Sequence, residues 1–198
     1  MNKKITIVGA GNVGASAAHI AAMQNIGDIV LLDIVKGLAE GKALDIAQSA
    51  GVYPFSGRIL GTTNWSDTAD SDIVIITSGL ARKPGMSRDD LLAKNTEIVK
   101  SVTEQIARTS PRAFLIVVCN PLDAMVYAAA AVSKFEKNRV MGMAGALDSA
   151  RFAGFIADEL GVSIGDVRGV LMGGHGDDMV PLPRYTSVAG IPLTELVD

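Results

Sequence analysis

Residues 4–33, KITIVGAGNVGASAAHIAAMQNIGDIVLLD, combine a β-branched run, a glycine turn, a helical pattern and a second apolar run. Ile5, Ile7 and Val8 precede the turn, and Val13, Ala17, Ile20 and Ala21 recur at helical spacing over residues 12–23. The pattern predicts strand, turn, helix and strand. Each glycine has its own physical task if a dinucleotide is to sit there. Gly9 permits a tight turn, Gly11 lets backbone approach a pyrophosphate, and Gly14 lets helix and strand pack closely. At the start of the helix, the amides around Asn12 and Val13 point at the phosphate, and the macrodipole adds positive charge without a lysine.

A GxGxxG turn alone is a weak signal. Asp33 strengthens it, because it closes the run IVLLD nineteen positions after Gly14, where a carboxylate can accept hydrogen bonds from both ribose hydroxyls. The same charge repels a 2′-phosphate. The expected cofactor is therefore NAD and not NADP, although a strand-end aspartate also serves as an ordinary turn residue.

Working outward, the chain of 198 residues is 48% hydrophobic, enough to bury a large core in one or two domains. A net charge of −3 argues against a dedicated nucleic-acid or membrane-surface binder. The start, MNKKITIVG, enters a strand at once and carries neither a signal region nor transit-peptide composition, so a cytoplasmic protein is expected. Cys119 ends the apolar run FLIVVC, where a buried, inert thiol is expected. One cysteine and two histidines, His19 and His175, make a protein-built metal site improbable and exclude a disulfide within the chain.

Beyond Asp33 the pattern predicts a helix over 36–49, a strand over 58–61 and a continuous apolar strand, DIVIIT, over 72–77. It continues with a helix over 89–108, a strand over 113–119, a helix over 122–133 and a strand over 140–142. Apolar strands alternating with helices make a doubly wound parallel α/β sheet. Ligands in such sheets gather beyond the carboxyl ends of the strands, where GAGNVG, Asp33, TSGLAR and CNPLD stand. Residues 78–90, SGLARKPGMSRDD, read as a lid, or as a solvated loop.

From Gly145 the pattern changes to a long helix over 147–160, a strand over 167–172 and a hairpin at Ala189-Gly190. The expected division is a cofactor domain at 1–144 and the start of an α+β substrate domain at 145–198. LTELVD reads as the beginning of a further helix, so that domain is expected to be incomplete.

GGHGDDM puts His175 on a glycine turn after an apolar run, a setting that presents an imidazole for proton transfer near neutral pH. His19, inside an apolar helix, reads as a satisfied structural histidine. LDSARF places Asp148 and Arg151 three positions apart on one helical face. An aspartate can fix a histidine tautomer and an arginine can grip a carboxylate, yet the spacing fits an intrahelical ion pair equally.

Taken together and in order, GAGNVG, Asp33, ARKPGMSRDDL, NPLD, LDSARF and GGHGDDMVPL resemble the lactate/malate dehydrogenase family, and most closely its lactate-dehydrogenase-like malate dehydrogenases. The resemblance runs over essentially the whole chain, while complete members of the family continue beyond Asp198. It implies a Rossmann domain followed by part of a catalytic domain, and an NAD-dependent oxidoreductase that interconverts malate and oxaloacetate. His175 would accept the hydroxyl proton and Asp148 would orient it. Arg151 would anchor the carboxylate beside the reacting carbon, Arg88 would polarise the carbonyl, Arg82 would pair with the distal carboxylate and Asn120 would bond the substrate. Gly9, Gly11, Asn12, Val13, Gly14, Asp33, Asn95, Val118 and Asn120 would contact NAD. The implied partners are a small dicarboxylate and further copies of the chain, as a homodimer or homotetramer, with no nucleic acid, membrane or metal. Ser78 and Cys119 depart from the family's usual residues, which affects fine cofactor contacts only. The alternatives are a lactate dehydrogenase, against which Arg82 argues, and a catalytically impaired NAD-binding fragment.

Overall fold

The computed structural model describes residues 2–81 and 84–197, with the side chain of Arg88 left aside. The chain forms two compact units, Met1–Gly142 and Met143–Asp198.

The first unit is built on six strands: β1 (Lys4–Val8), β2 (Asp28–Leu32), β3 (Ile59–Thr62), β4 (Ile73–Ile76), β5 (Phe114–Val117) and β6 (Val140–Gly142). They line up as β3-β2-β1-β4-β5-β6, every neighbouring pair parallel, so the order reverses between β1 and β4. The connecting helices are α1 (Asn12–Met23), α2 (Leu38–Ser49), α3 (Arg88–Thr109) and α4 (Leu122–Ser133). Ile5, Ile7, Ile29 and Leu31 form one core with Ala18, Ala21, Ala22, Ala39 and Ile46 of α1 and α2. The alternate strand residues Val8, Val30, Leu32, Val74 and Ile76 are buried as well, so the central strands are covered on both faces. The continuous β-branched runs in the sequence follow from that double burial.

Local chemistry sets the helix starts. Ser87 and Asp90 close a reciprocal capping box on α3, Ser87 Oγ accepting from the Asp90 amide at 3.0 Å and Asp90 Oδ2 accepting from the Ser87 amide at 3.2 Å. Helix α2 begins two residues later than the pattern predicts because Gly37 caps it at φ +85°, outside the helical region.

The second unit holds α5 (Gly145–Leu160) and the short strands β7 (Val167–Arg168), β8 (Leu171–Gly173), β9 (Met179–Pro181), β10 (Ser187–Val188) and β11 (Ile191–Pro192). These make an antiparallel sheet β11-β10-β7 and a separate antiparallel pair β8-β9. Ala153, Ile156 and Ala157 of α5 pack with Val167, Val188 and Leu193. The hairpin expected at Ala189-Gly190 joins β10 and β11, both residues having positive φ as its two-residue loop requires.

Two expectations need correcting here. The run 167–172 is not one strand. Gly169 lies against α5 so closely that a Cβ would come within 2.8 Å of the Ser149 carbonyl oxygen, and the next amides bond to side chains, Val170 to Thr186 Oγ1 and Leu171 to Ser149 Oγ. That approach interrupts the ladder and sends β7 and β8 to different sheets. LTELVD gives a single 3-10 turn, Leu193–Glu195, because Pro192 is paired in β11 and Leu193 is buried with its amide on the Thr186 carbonyl.

Candidate active site: a cofactor cleft and an imidazole–carboxylate pair

In the first unit three of the four strand ends predicted to gather ligand, GAGNVG, Asp33 and TSGLAR, share one cleft, while no residue of CNPLD is among those that line it. Gly9, Gly11, Asp33, Val35, Ser78 and Leu80 help to line one cleft of about 390 Å³, within the size range of small-molecule sites. Its floor is the glycine turn. Gly9 has φ +107°, and a Cβ at Gly14 would lie only 1.8 Å from the Gly9 carbonyl oxygen, so α1 and the turn touch backbone to backbone. At Gly11 a Cβ would meet nothing within 4 Å, and this residue caps α1 without a side-chain bond. The helix therefore opens toward space with its first amides uncapped by side chains, the arrangement that receives a pyrophosphate.

Asp33 sits above this turn, its Oδ2 accepting from the Ala10 amide at 2.7 Å and its Oδ1 from the Val35 amide at 2.9 Å. Two backbone donors hold the carboxylate in one orientation. Each oxygen keeps further acceptor capacity, which a ribose diol can use. The residues present thus fit a dinucleotide. One contributor was not singled out from sequence. Thr77 Oγ1 donates between the Val8 and Gly9 carbonyls at 3.1 and 3.0 Å, and a Cβ on either Gly9 or Gly14 would strike it at 2.8 Å. A threonine ending an apolar strand opposite the glycine turn was the available signal.

Asn120 is exposed, Val118 is half-buried with its amide on the Ile76 carbonyl, and Asn12 and Val13 are exposed at the head of α1. Asn95 is 1% exposed, and its carboxamide bonds to the backbone of Leu80 and Asn120. Cys119 is buried and its thiol is pushed up to about 11 by that burial, in keeping with an inert group. His19 is half-buried, but its Nε2 has no partner among the described residues, so it is not satisfied there; its surroundings in α1 are mostly alanine. Arg82 and the Arg88 side chain lie outside the described residues.

In the second unit Asp148 is 5% exposed on the first turn of α5 and uses both oxygens. Oδ2 meets His175 Nδ1 at 2.8 Å, and Oδ1 meets Arg151 Nη1 at 3.4 Å. His175 comes from the glycine-bounded turn between β8 and β9 and is 19% exposed. The spacing left open whether Asp148 serves an intrahelical ion pair or a histidine. It does both. Arg151 remains 59% exposed and borders, with Asp148, Phe152 and Leu171, a cleft of about 210 Å³. A buried carboxylate here holds a shielded imidazole by Nδ1, beside a cation able to grip a carboxylate. Among the described residues no helix is long and apolar enough to cross a membrane.

Residues 3–142 match the family model for the lactate/malate dehydrogenase NAD binding domain, and residues 145–198 match that for the alpha/beta C-terminal domain of the same family. A curated malate dehydrogenase from Heliobacterium modesticaldum is 56% identical over 98% of the chain and 63% of its own length. The solved structure of malate dehydrogenase from Salinibacter ruber superposes with a TM-score of 0.92 at 55% identity, covering 98% of this chain and 62% of that one. A malate dehydrogenase from Plasmodium falciparum in complex with NADH gives a TM-score of 0.88 at 42% identity, covering 98% of this chain and 61% of that one. The chain thus spans a little over three fifths of the length of these relatives.

Proposed function

The chain belongs to the lactate/malate dehydrogenase family, and from that membership we propose an NAD-dependent malate dehydrogenase that interconverts malate and oxaloacetate. The observation that carries the reading is the His175–Asp148–Arg151 constellation, which sets a proton acceptor, the group that orients it and a carboxylate anchor on one buried aspartate. Bound NAD supplies the hydride acceptor. His175 takes the hydroxyl proton on Nε2, since Asp148 accepts from Nδ1–H and so selects the tautomer that is basic at the other nitrogen. The buried carboxylate then stabilises the imidazolium. Arg151 pairs with the carboxylate next to the reacting carbon, Arg88 polarises the carbonyl, Asn120 bonds the substrate and Arg82 pairs with the distal carboxylate. In the cleft, Asp33 would hold the ribose of NAD and the amides of α1, uncapped by side chains, would hold its pyrophosphate.

A dicarboxylate suits this set of arginines, whereas pyruvate gives Arg82 no carboxylate to pair with. We also read the protein as cytoplasmic and, at full length, as a homodimer or homotetramer; Val13 and Ile20, 58% and 60% exposed on one face of α1, give such an assembly apolar surface to bury.

The test compares NADH oxidation by this chain with oxaloacetate and with pyruvate, before and after Arg82→Gln. Truncating one partner of a buried charge pair costs about 2–5 kcal/mol, so the oxaloacetate-to-pyruvate ratio of kcat/KM should fall at least roughly tenfold. A starting preference for pyruvate, or an unchanged ratio, overturns the malate assignment in favour of lactate chemistry. Retained NADH binding with no turnover of either substrate identifies a cofactor-binding fragment.

A further inference from the structure

Asn95 lies on the second turn of α3 and is 1% exposed. Its carboxamide is engaged on both sides. Oδ1 accepts from the Leu80 amide at 2.8 Å, and Nδ2 donates to the Leu80 carbonyl at 3.2 Å and to the Asn120 carbonyl at 2.6 Å. The amide orientation follows from the partners, because the oxygen faces a donor and the nitrogen faces two acceptors. Both N–H bonds are spent. The side chain mimics a peptide unit, pairing with Leu80 through donor and acceptor at once while holding the Asn120 backbone with its second hydrogen.

Three segments distant in sequence meet at this one group: the chain leaving β4, the second turn of α3, and the residues after β5. Packing between the first and third is close, since a Cβ at Gly79 would come within 3.1 Å of Cys119 Cβ. Among uncharged side chains of this size, only a carboxamide supplies two donors and an acceptor in one plane. Leucine would fill the space and strip three part-buried backbone groups, the Leu80 amide and the Leu80 and Asn120 carbonyls, of this partner. An aspartate would keep the acceptor and turn a carboxylate oxygen toward two carbonyls.

We propose that Asn95 is a positioning residue: its carboxamide ties the backbone at Leu80 to the backbone at Asn120 and thereby sets where the Asn120 side chain meets a dicarboxylate. The proposal rests on the reading of Asn120 as a substrate-binding residue given above, and recasts Asn95, expected from the family resemblance to touch NAD, as a strut acting through its neighbour.

The experiment measures oxaloacetate kcat/KM, NADH Kd and Leu80 amide hydrogen exchange in the unchanged chain, Asn95→Leu, Asn95→Asp, Asn120→Ala and the Asn95→Leu/Asn120→Ala double variant. Asn95→Leu should lower kcat/KM by about tenfold or more and should cost less than about twofold once Asn120 is alanine, because the strut then has no side chain to place. Asn95→Asp keeps Leu80 exchange near the original rate and loses kcat/KM as Asn95→Leu does, which separates the two ties even where the leucine variant folds poorly. Equal costs of Asn95→Leu in both backgrounds, or a loss that appears entirely in NADH Kd, overturns the proposal. Should the unchanged chain turn over no oxaloacetate, the malate reading fails by itself, and the strut is decided on exchange: a Leu80 amide no faster in Asn95→Leu overturns it, and one about tenfold faster upholds it.

Discussion

The two units build their candidate sites from different materials. In the first, the site is main chain: a left-handed Gly9, a backbone contact at Gly14, open amides at the head of α1, and carbonyls propped by Thr77. Its side chains, Asp33 and Asn95, act largely by gripping backbone. In the second, the site is a chain of side chains, Arg151 to Asp148 to His175. The cores differ in the same sense. Ile7, Leu31, Ile76 and Leu115 are fully buried in long parallel strands, whereas the second unit packs six buried apolar residues around α5 and strands of two or three residues, and leaves Phe155 72% exposed. A backbone site is vulnerable above all to added volume, a side-chain site above all to changed charge.

The largest expected effect tests the second unit. His175→Asn keeps shape and polarity but removes the base, so turnover should fall on the order of a hundredfold or more while NADH affinity stays unchanged. Stopped-flow hydride transfer with a parallel fluorescence titration checks both. Loss of NADH affinity in that variant would break the division between the units.

Next comes volume in the first unit. Gly14→Ala forces a methyl to within 1.8 Å of a carbonyl oxygen, so backbone must move; overpacking of this kind costs about 1–3 kcal/mol, visible as a lowered Tm and weakened NADH binding together. Gly11→Ala, whose Cβ meets nothing, should leave Tm intact and weaken NADH binding alone. Equal thermal losses in the two variants would refute the backbone-contact account.

Asp33→Ala tests charge in the same unit. Losing the carboxylate frees the Ala10 amide and loosens the turn for either cofactor, yet it also removes the group that repels a 2′-phosphate. Both affinities fall, and the NADH-to-NADPH preference should drop by roughly tenfold, about 1.4 kcal/mol. Isothermal titration with each cofactor decides it, and a preserved preference would show that Asp33 is structural.

The smallest effect sharpens the contrast between helix starts. Ser87 bonds hold the Asp90 carboxyl below its ordinary range, whereas α5 begins without a side-chain cap. A depressed carboxyl contributes stability that is complete above the ordinary carboxylate pKa and is lost as pH falls through the folded value. Asp90→Asn should therefore show a slightly lowered Tm at pH 7, a difference that shrinks as pH falls below the ordinary carboxylate range. A difference that persists in acid would assign the effect to something other than the capping box.

Much of the first unit was legible because its rules are periodic and local. Apolar runs covered on both faces, helices at 3.6-residue spacing and a glycine turn each announce themselves within a few residues. Expected boundaries fell within two residues of those observed, and the later start of α2 has a local cause in Gly37 at φ +85°. The second unit was read less well because its short strands depend on distant partners. Nothing in VRGVLM reveals that Gly169 will meet α5, or that Ser149 and Thr186 will take the next two amides.

The sequence by itself determined the strand–turn–helix unit, the acidic strand end, the doubly wound sheet and the placement of His175 on a glycine-bounded turn, since each follows from residue type and spacing along the chain. Only the tertiary structure decided that one Asp148 serves both Arg151 and His175, that Thr77 props the glycine turn, and that Asn95 spends both of its N–H bonds on two separate loops. Those are contacts across 3, 27, 69, 15 and 25 positions. Apart from the first, a hydrogen bond of that span leaves no period in the sequence, because its partners are chosen by how the strands and helices pack and not by the residues beside them.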